Sequence, residues 1–410
     1  MNLPTWNLSE FYSSLKDDQI NNDIRTLKKK IKKFSSKYKG KLKSLENNNL
    51  INSLVEFEKI EEISLKLRSY GYLIYCTNQV DVDRSKFFQF IEETVLNAEK
   101  DIIFYGIELN NLNEKRISIF NNTKYKNWIK NHKKFKKFQK TESIEKILVE
   151  KSLTSSSAWV RFFDQTITRL RFNFKGNELT ETEILDLLSS SKKKIREEAA
   201  HVFGETLKNN IHYFSFIMNI ISKDLDIDKN IRGFKFSESS RHLSNQIEKS
   251  DIDSLVDTAT KNYKSICHRY YKYKSNYFGS KKLNYWDRNA PYPGFSEKKI
   301  SWKNAKDIVV NSYTNFDERF GEIVEKFFDE SWIDAKLGNG KTSGAFSHPT
   351  VPSCNPKILL NFQGKIRDVM TLAHELGHGV HQYLANENGV LLAETPLTLA
   401  ETASVFGEML

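Results

Sequence analysis

The sequence predicts a mainly α protein with one small β-sheet. Three observations carry that expectation. The 410 residues include 17 glycines and 7 prolines, about half of the combined usage of ~12% in ordinary proteins, so turn formers are scarce. Apolar residues recur at helical spacing over most of the chain. Five of the seven prolines crowd into two segments, 279–294 and 337–362, where the helical texture breaks. With 39% apolar residues the chain can bury a large core, which excludes wholesale disorder. Its length suits about two or three domain-sized units.

From Asp17 to Lys39, the residues Ile20, Ile24, Leu27, Ile31 and Phe34 are spaced alternately four and three apart. They draw one apolar stripe along a helix, with a lysine-rich wet face and Gly40 as the stop. Residues 51–73 repeat the pattern with Leu54, Phe57, Ile63, Leu67 and Tyr70. Helical periodicity continues through 81–110, and 140–260 reads as further amphipathic helices with short polar connections. The segment KYKNWIKNHKKFKKFQK (124–140) mixes lysines with rings, the composition of a nucleic-acid patch. Trp128, Ile129, His132, Phe135 and Phe138 nevertheless fall on one half of a helix, so a buried aromatic stripe under a solvated lysine face is expected. The net charge of +11 then means loose attraction to anions, not specific nucleic-acid readout.

In the first break, Pro291 and Pro293 lie between two glycines and predict a structured loop. In the second, Gly338, Gly340 and Gly344 predict a mobile turn, and ILLNF (358–362) a short buried strand before helix resumes near Ile366. The small sheet belongs there. Cys76, Cys267 and Cys354 are odd in number and far apart, so neither a disulfide framework nor a zinc knuckle can be built. No signal-peptide pattern opens the chain, and no apolar run approaches the ~18 residues of a spanning helix. A cytoplasmic protein without membrane association is expected.

The chemistry concentrates in TLAHELGHGVHQYL, which contains His-Glu-x-x-His at 374–378. On a helix, positions four apart project about 40° from one another, so His374 and His378 can share one metal ion. Glu375 lies about 60° round from His378. It can reach a water at the metal without taking a coordination position, which makes it the candidate general base. Apolar Leu372, Ala373, Leu376, Val380 and Leu384 predict a buried helix, and Gly377 in mid-helix predicts a close neighbour. A catalytic zinc needs a third protein ligand. The downstream acids are Glu387, Glu394, Glu401 and Glu408. Asn386 to Gly389 can reverse the chain and Pro396 can open a second helix, in which Glu401 sits inside an apolar pattern. Glu401 is therefore the expected third ligand, as a buried carboxylate facing the histidines.

These residues resemble a known family. His-Glu-Leu-Gly-His at 374–378, His381 and Glu401-Thr-Ala-Ser404 are similar to the zinc oligopeptidases of the thimet oligopeptidase class, above all the bacterial oligoendopeptidase F branch. TWNLSEFY (5–12), YWDRNAPYP (285–293) and GKTSGAFSHP with the following NF (340–362) resemble further segments of that branch, so the likeness runs over essentially the whole chain. The resemblance implies a helical clamshell with a deep channel for short peptides, an N-terminal helical lobe (1–185) and a catalytic part (186–410). It implies one zinc per chain on His374, His378 and Glu401, with Glu375 activating the water and passing its proton to the leaving amine. The segment around Gly344, Ala345, Phe346 and His348 would offer a strand edge to extended substrate. His381 would support the site from outside the metal's own donors, since a fourth protein ligand would close it.

The family's chains run on past the glutamate ligand, into a His- and Tyr-rich region that stabilises the oxyanion. This sequence stops at Leu410, nine residues after Glu401, and is expected to be an N-terminal portion. Loss of one oxyanion donor costs about 10²–10³ in rate. Two expectations follow: a zinc oligopeptidase of short peptides, or a catalytically impaired helical protein that binds peptides or polyanions. Substrate preference and oligomeric state are not legible.

Overall fold

The computed structural model describes residues 3–292, 294 and 299–410. It is mainly α, as the periodicity predicts. Helix α1 (Asp18–Tyr38) buries Ile20, Ile24, Leu27, Ile31 and Phe34 along one stripe. Its start is capped by Asp17, whose carboxylate accepts from the amide of Gln19 at 2.9 Å. Helix α2 (Asn47–Thr77) departs from the single-stripe expectation. Its buried residues include Leu50, Leu54, Ile60, Leu67, Tyr70 and Leu73, spread round the helix. It packs against both α1 and α3 (Val82–Glu99), so more than one face is covered.

The lysine-rich segment forms a short helix (Lys126–Lys134) and one 3-10 turn (Lys136–Phe138). Ile129 is buried, Trp128 stacks on His132 at 5.0 Å, and Phe138 meets Phe234 at 4.3 Å. His132 Nε2 lies 3.1 Å from the Gly106 carbonyl. The rings thus serve the protein interior.

Within 140–260 the chain is not helix throughout. Strands β1 (Phe172–Phe174) and β2 (Asn177–Leu179) form an antiparallel hairpin around Lys175 and Gly176, both at positive φ. Two such residues match the twist of a two-residue hairpin. The alternation Phe172, Asn173, Phe174 before Lys-Gly was the available signal.

The small sheet lies where the prolines gather. It has the order β3 (Ile333–Asp334), β5 (Lys357–Leu359), β4 (Phe346–His348), parallel on one side and antiparallel on the other. The strand starts one residue earlier than expected, and its ladder continues through Leu360 and Phe362 amides to the Asp334 and Ala335 carbonyls. Side chains alternate along it. Leu359 enters the core built by α1 to α3, whereas Ile358 and Leu360 enter a second core with helices Trp302–Phe316, Glu318–Asp329 and Ile366–Ala385. The central strand therefore joins two cores.

The glycine turn expected to be mobile is tied down. The Gly340 carbonyl accepts from Gln79 N at 2.7 Å, Thr342 N donates to Cys76 O at 3.0 Å, and a Cβ on Gly340 would sit 2.1 Å from Asn78 Oδ1. The loop at 279–294 is structured through its 3-10 turn Tyr285–Asp287, with Asp287 buried against Arg196; Pro293 lies outside the described residues. Among the described residues no helix is long and apolar enough to cross a membrane.

Candidate metal centre

Helix Ile366–Ala385, the motif helix, begins where Asp368 accepts from the amides of Gln363 and Lys365 at 2.8 and 2.9 Å. Its apolar side, Val369, Leu372, Leu376 and Val380, is buried in the second core. Gly379 admits the ring of Phe327, which would stand 2.6 Å from a Cβ there. A 3-10 turn (Asn386–Asn388) and Gly389 at φ +84° then reverse the chain. Helix Leu397–Met409, the glutamate helix, starts after Pro396.

The two helices pack through small residues. A Cβ on Gly377 would stand 2.4 Å from the Ala403 carbonyl, and one on Gly407 would stand 2.0 Å from the Tyr313 hydroxyl and 2.6 Å from the Ala373 carbonyl. That explains the glycine in the middle of the motif. Tyr313 donates to the Ala373 carbonyl at 2.8 Å, which braces the backbone next to His374.

This close approach brings His374, His378 and Glu401 together, with one ligand atom of each within 4.8 Å of the others. Glu401 Oε2 lies 3.4 Å from His374 Nε2 and 3.8 Å from His378 Nε2. Two donors bonded at ~2.0–2.1 Å to a tetrahedral zinc stand ~3.3 Å apart, so the spacing fits with little adjustment. The donor types, two imidazoles and one carboxylate, are also those of catalytic zinc sites. The Ser404 hydroxyl, buried between the helices, holds Glu401 Oε2 at 2.8 Å. Burial holds His378 below the usual imidazole range, the neutral form a metal requires; Glu401 opposes that shift and His374 reinforces it.

Glu375 is buried beside this group. Desolvation pushes its carboxyl up to about 7, against the pull of His374 and with a further push from Glu401. Glu401 departs from expectation: its side chain is 56% exposed, because the helix contact is centred on the buried Ser404 and Gly407 and Glu401 stands at its edge. His381 is not one of the three clustered donors and lies nearly one turn beyond His378 on the same helix.

The structure adds a residue to which the sequence assigned no role. His374 Nδ1 donates to Glu408 Oε1 at 2.5 Å, which leaves Nε2 as the free lone pair facing Glu401. The signal was present, because Glu401 and Glu408 are seven apart and so share one helix face.

The predicted substrate segment lies alongside. Gly344, at φ +76°, is held by Asn361 Nδ2 donating to its carbonyl at 2.9 Å, and Ala345 packs at the margin of the second core. Strand β4 is an outer strand of the sheet, with one edge unpaired among the described residues. Ser347 is tied to Gln382 by bonds of 2.7 and 3.1 Å, linking β4 to the motif helix one turn beyond His378. Phe346 and His348 point the other way, onto Tyr72. His348 Nδ1 accepts from the Thr350 amide at 2.9 Å, and burial pushes its pKa down to about 4.

Comparison with known proteins shows the family. The profile of peptidase family M3 matches residues 186–410, and that of oligopeptidase F matches 108–172. The chain belongs to peptidase family M3, in its oligoendopeptidase F branch. It is 24% identical over 99% of its length to oligopeptidase PepF of Bacillus subtilis, and 26% identical over 93% to an oligoendopeptidase F homolog of Borreliella burgdorferi. It spans 62% and 65% of those two relatives, less than two thirds of each. A solved structure assigned as an oligoendopeptidase F from Bacillus anthracis shares the fold, with a TM-score of 0.79 and 15% identity over 94% of this chain and 70% of that one.

Proposed function

We propose that the chain carries the metal centre of a zinc endopeptidase acting on short peptides, with one zinc per chain on His374, His378 and Glu401. The observation that carries the reading is the convergence of these three donors beside the buried Glu375. A bound zinc would supply Lewis acidity, acidifying a water and polarising the scissile carbonyl.

Glu375 takes the proton from the attacking water and returns it to the leaving amine nitrogen. Its burial keeps bulk water from competing for that proton. Glu408 fixes the His374 ring, and Ser404 orients the Glu401 carboxylate. The free edge of β4 pairs with the backbone of an extended peptide, which recognises substrate through main-chain groups. The Ser347–Gln382 tie keeps that edge in register with the histidines. A cytoplasmic setting accords with three unpaired cysteines.

The test is turnover of a quenched fluorescent peptide with added zinc. Glu375→Gln should lower kcat by about 10²–10⁴ while leaving one zinc per chain in the protein. Unchanged turnover in this variant would overturn the assigned base, and turnover that survives a strong chelator would overturn the metal.

A further inference from the structure

The first break in the helical texture also shapes a cavity. The end of helix Glu181–Leu187, helix Arg269–Tyr277 and loop 281–289 enclose a cavity of about 630 Å³, within the ~300–1,000 Å³ of small-molecule sites. None of the metal donors lines it. Its apolar wall is Leu188, Leu283 and the rings of Tyr271, Tyr285 and Trp286. Lys272, Lys281, Lys282 and Arg288 also line it, and among the described residues none of these four is ion-paired and no carboxylate joins the lining.

The loop that carries most of the wall is held firmly. Asp287, its one acid, turns inward to a buried pair with Arg196 at 2.6 Å and accepts from the Asn284 amide at 3.3 Å. Buried Lys274 donates to the Arg288 carbonyl at 2.7 Å. The cavity is therefore lined by positive charge that the protein itself does not neutralise. The Trp286 indole Nε1 is buried and, among the described residues, has no hydrogen-bond partner, a donor that only an acceptor can satisfy.

We propose that this cavity binds a small organic anion with a flat aromatic body, its ring against Tyr285 and Trp286 and its charge on Lys281, Lys282 and Arg288. Rings and unpaired cations on one wall favour a ligand offering both features, because stacking and cation attraction act together. Either a nucleoside phosphate or an aromatic carboxylate, such as a peptide's C-terminal end, has this chemistry.

Isothermal titration of the intact chain decides the matter with four probes: ADP, N-acetyltryptophan, adenosine and inorganic pyrophosphate. At least one aromatic anion should bind about tenfold tighter than both adenosine and pyrophosphate, with affinity falling as salt rises. Tighter ADP identifies a phosphate ligand, and tighter N-acetyltryptophan a carboxylate. The double variant Lys281→Glu, Lys282→Glu should weaken binding about tenfold or more. Tyr285→Ala should weaken it separately. All three side chains are exposed, so an unchanged thermal melt is expected. The proposal is overturned if neither aromatic anion binds better than adenosine and pyrophosphate. It is equally overturned if folded variants bind as the parent does.

Discussion

The hydrogen bond from His374 to Glu408 decides which nitrogen of the imidazole is available. With Nδ1–H donated to a carboxylate, Nε2 must carry the lone pair, and the ring is held facing Glu401. Carboxylates in this position raise ligand basicity, and their loss typically costs 10–100-fold in metal affinity. Glu408→Ala should therefore weaken zinc about 10–100-fold in competition with a chromophoric chelator, whereas Glu408→Gln, which can still accept the bond, should lose less. Equal affinity in all three proteins would show that the contact does not orient the ligand. Of the site, the His-Glu-x-x-His geometry was fully legible, because i and i+4 on one helix need no tertiary information. The Glu401 assignment was legible from the turn and helix that follow, but its exposure was not. Exposure depends on which face the glutamate helix turns to Gly377, and that is settled by two glycines on different helices, Gly377 and Gly407.

At the scale of the element, strand β5 shows why the small sheet exists. A strand that presents alternate side chains to two cores must be buried on both faces, which its run of Ile358, Leu359 and Leu360 makes possible. The same position imposes buried cations. Lys341 is buried, with its ammonium on Asp334 Oδ1 at 2.6 Å and on the carbonyls of Lys336 and Leu360, each at 2.8 Å. It clips the glycine turn to β3 and β5, which is why a segment that reads as mobile is not. Removing one partner of a buried pair leaves the other charge uncompensated, at about 3–5 kcal/mol. Lys341→Met should lower stability by about that amount in urea, and the added change Asp334→Asn should recover part of it. A loss below about 1 kcal/mol would show that water reaches the pair and screens it as at a surface. Nothing in the sequence announced this lysine, because a buried Lys is indistinguishable from a solvated one until its partners, up to 19 residues away, are in place. The β1–β2 hairpin is the opposite case, since Lys-Gly after an alternating pair was a local signal outweighed by the surrounding helical texture.

For the whole molecule, the charge balance of +11 conceals local excesses of the other sign. Where α2 packs on α3, Arg68 faces Glu92 at 3.1 Å and Glu99 at 2.7 Å, and Glu61 stands in the same cluster. Arg68, with Arg161 also acting on Glu92, leaves two cations facing three carboxylates. Burial pushes Glu61 up to about 8, Glu99 adds to the rise and Arg68 opposes it; burial also raises Glu92. A carboxyl with a folded pKa near 8 and an ordinary value of 4.5 keeps its proton in the folded state over a window in which the unfolded chain has released it. The unfolded chain then binds fewer protons, so stability falls as pH rises. The contribution is fully present below about pH 4.5 and is lost as pH climbs through about 8. Its size is on the order of a few kcal/mol. Glu61→Gln keeps the neutral shape and cannot ionise, so the variant should differ least from the parent at pH 5 and exceed it increasingly in urea midpoint towards pH 9. Asp164, raised to about 6, titrates equally in both proteins and cancels from the difference. Parallel stability curves from pH 5 to 9 would mean that Glu61 ionises in the folded protein as freely as in the unfolded chain. In that event the packing of α2 on α3, and with it the largest core of the fold, would admit water at its charged edge.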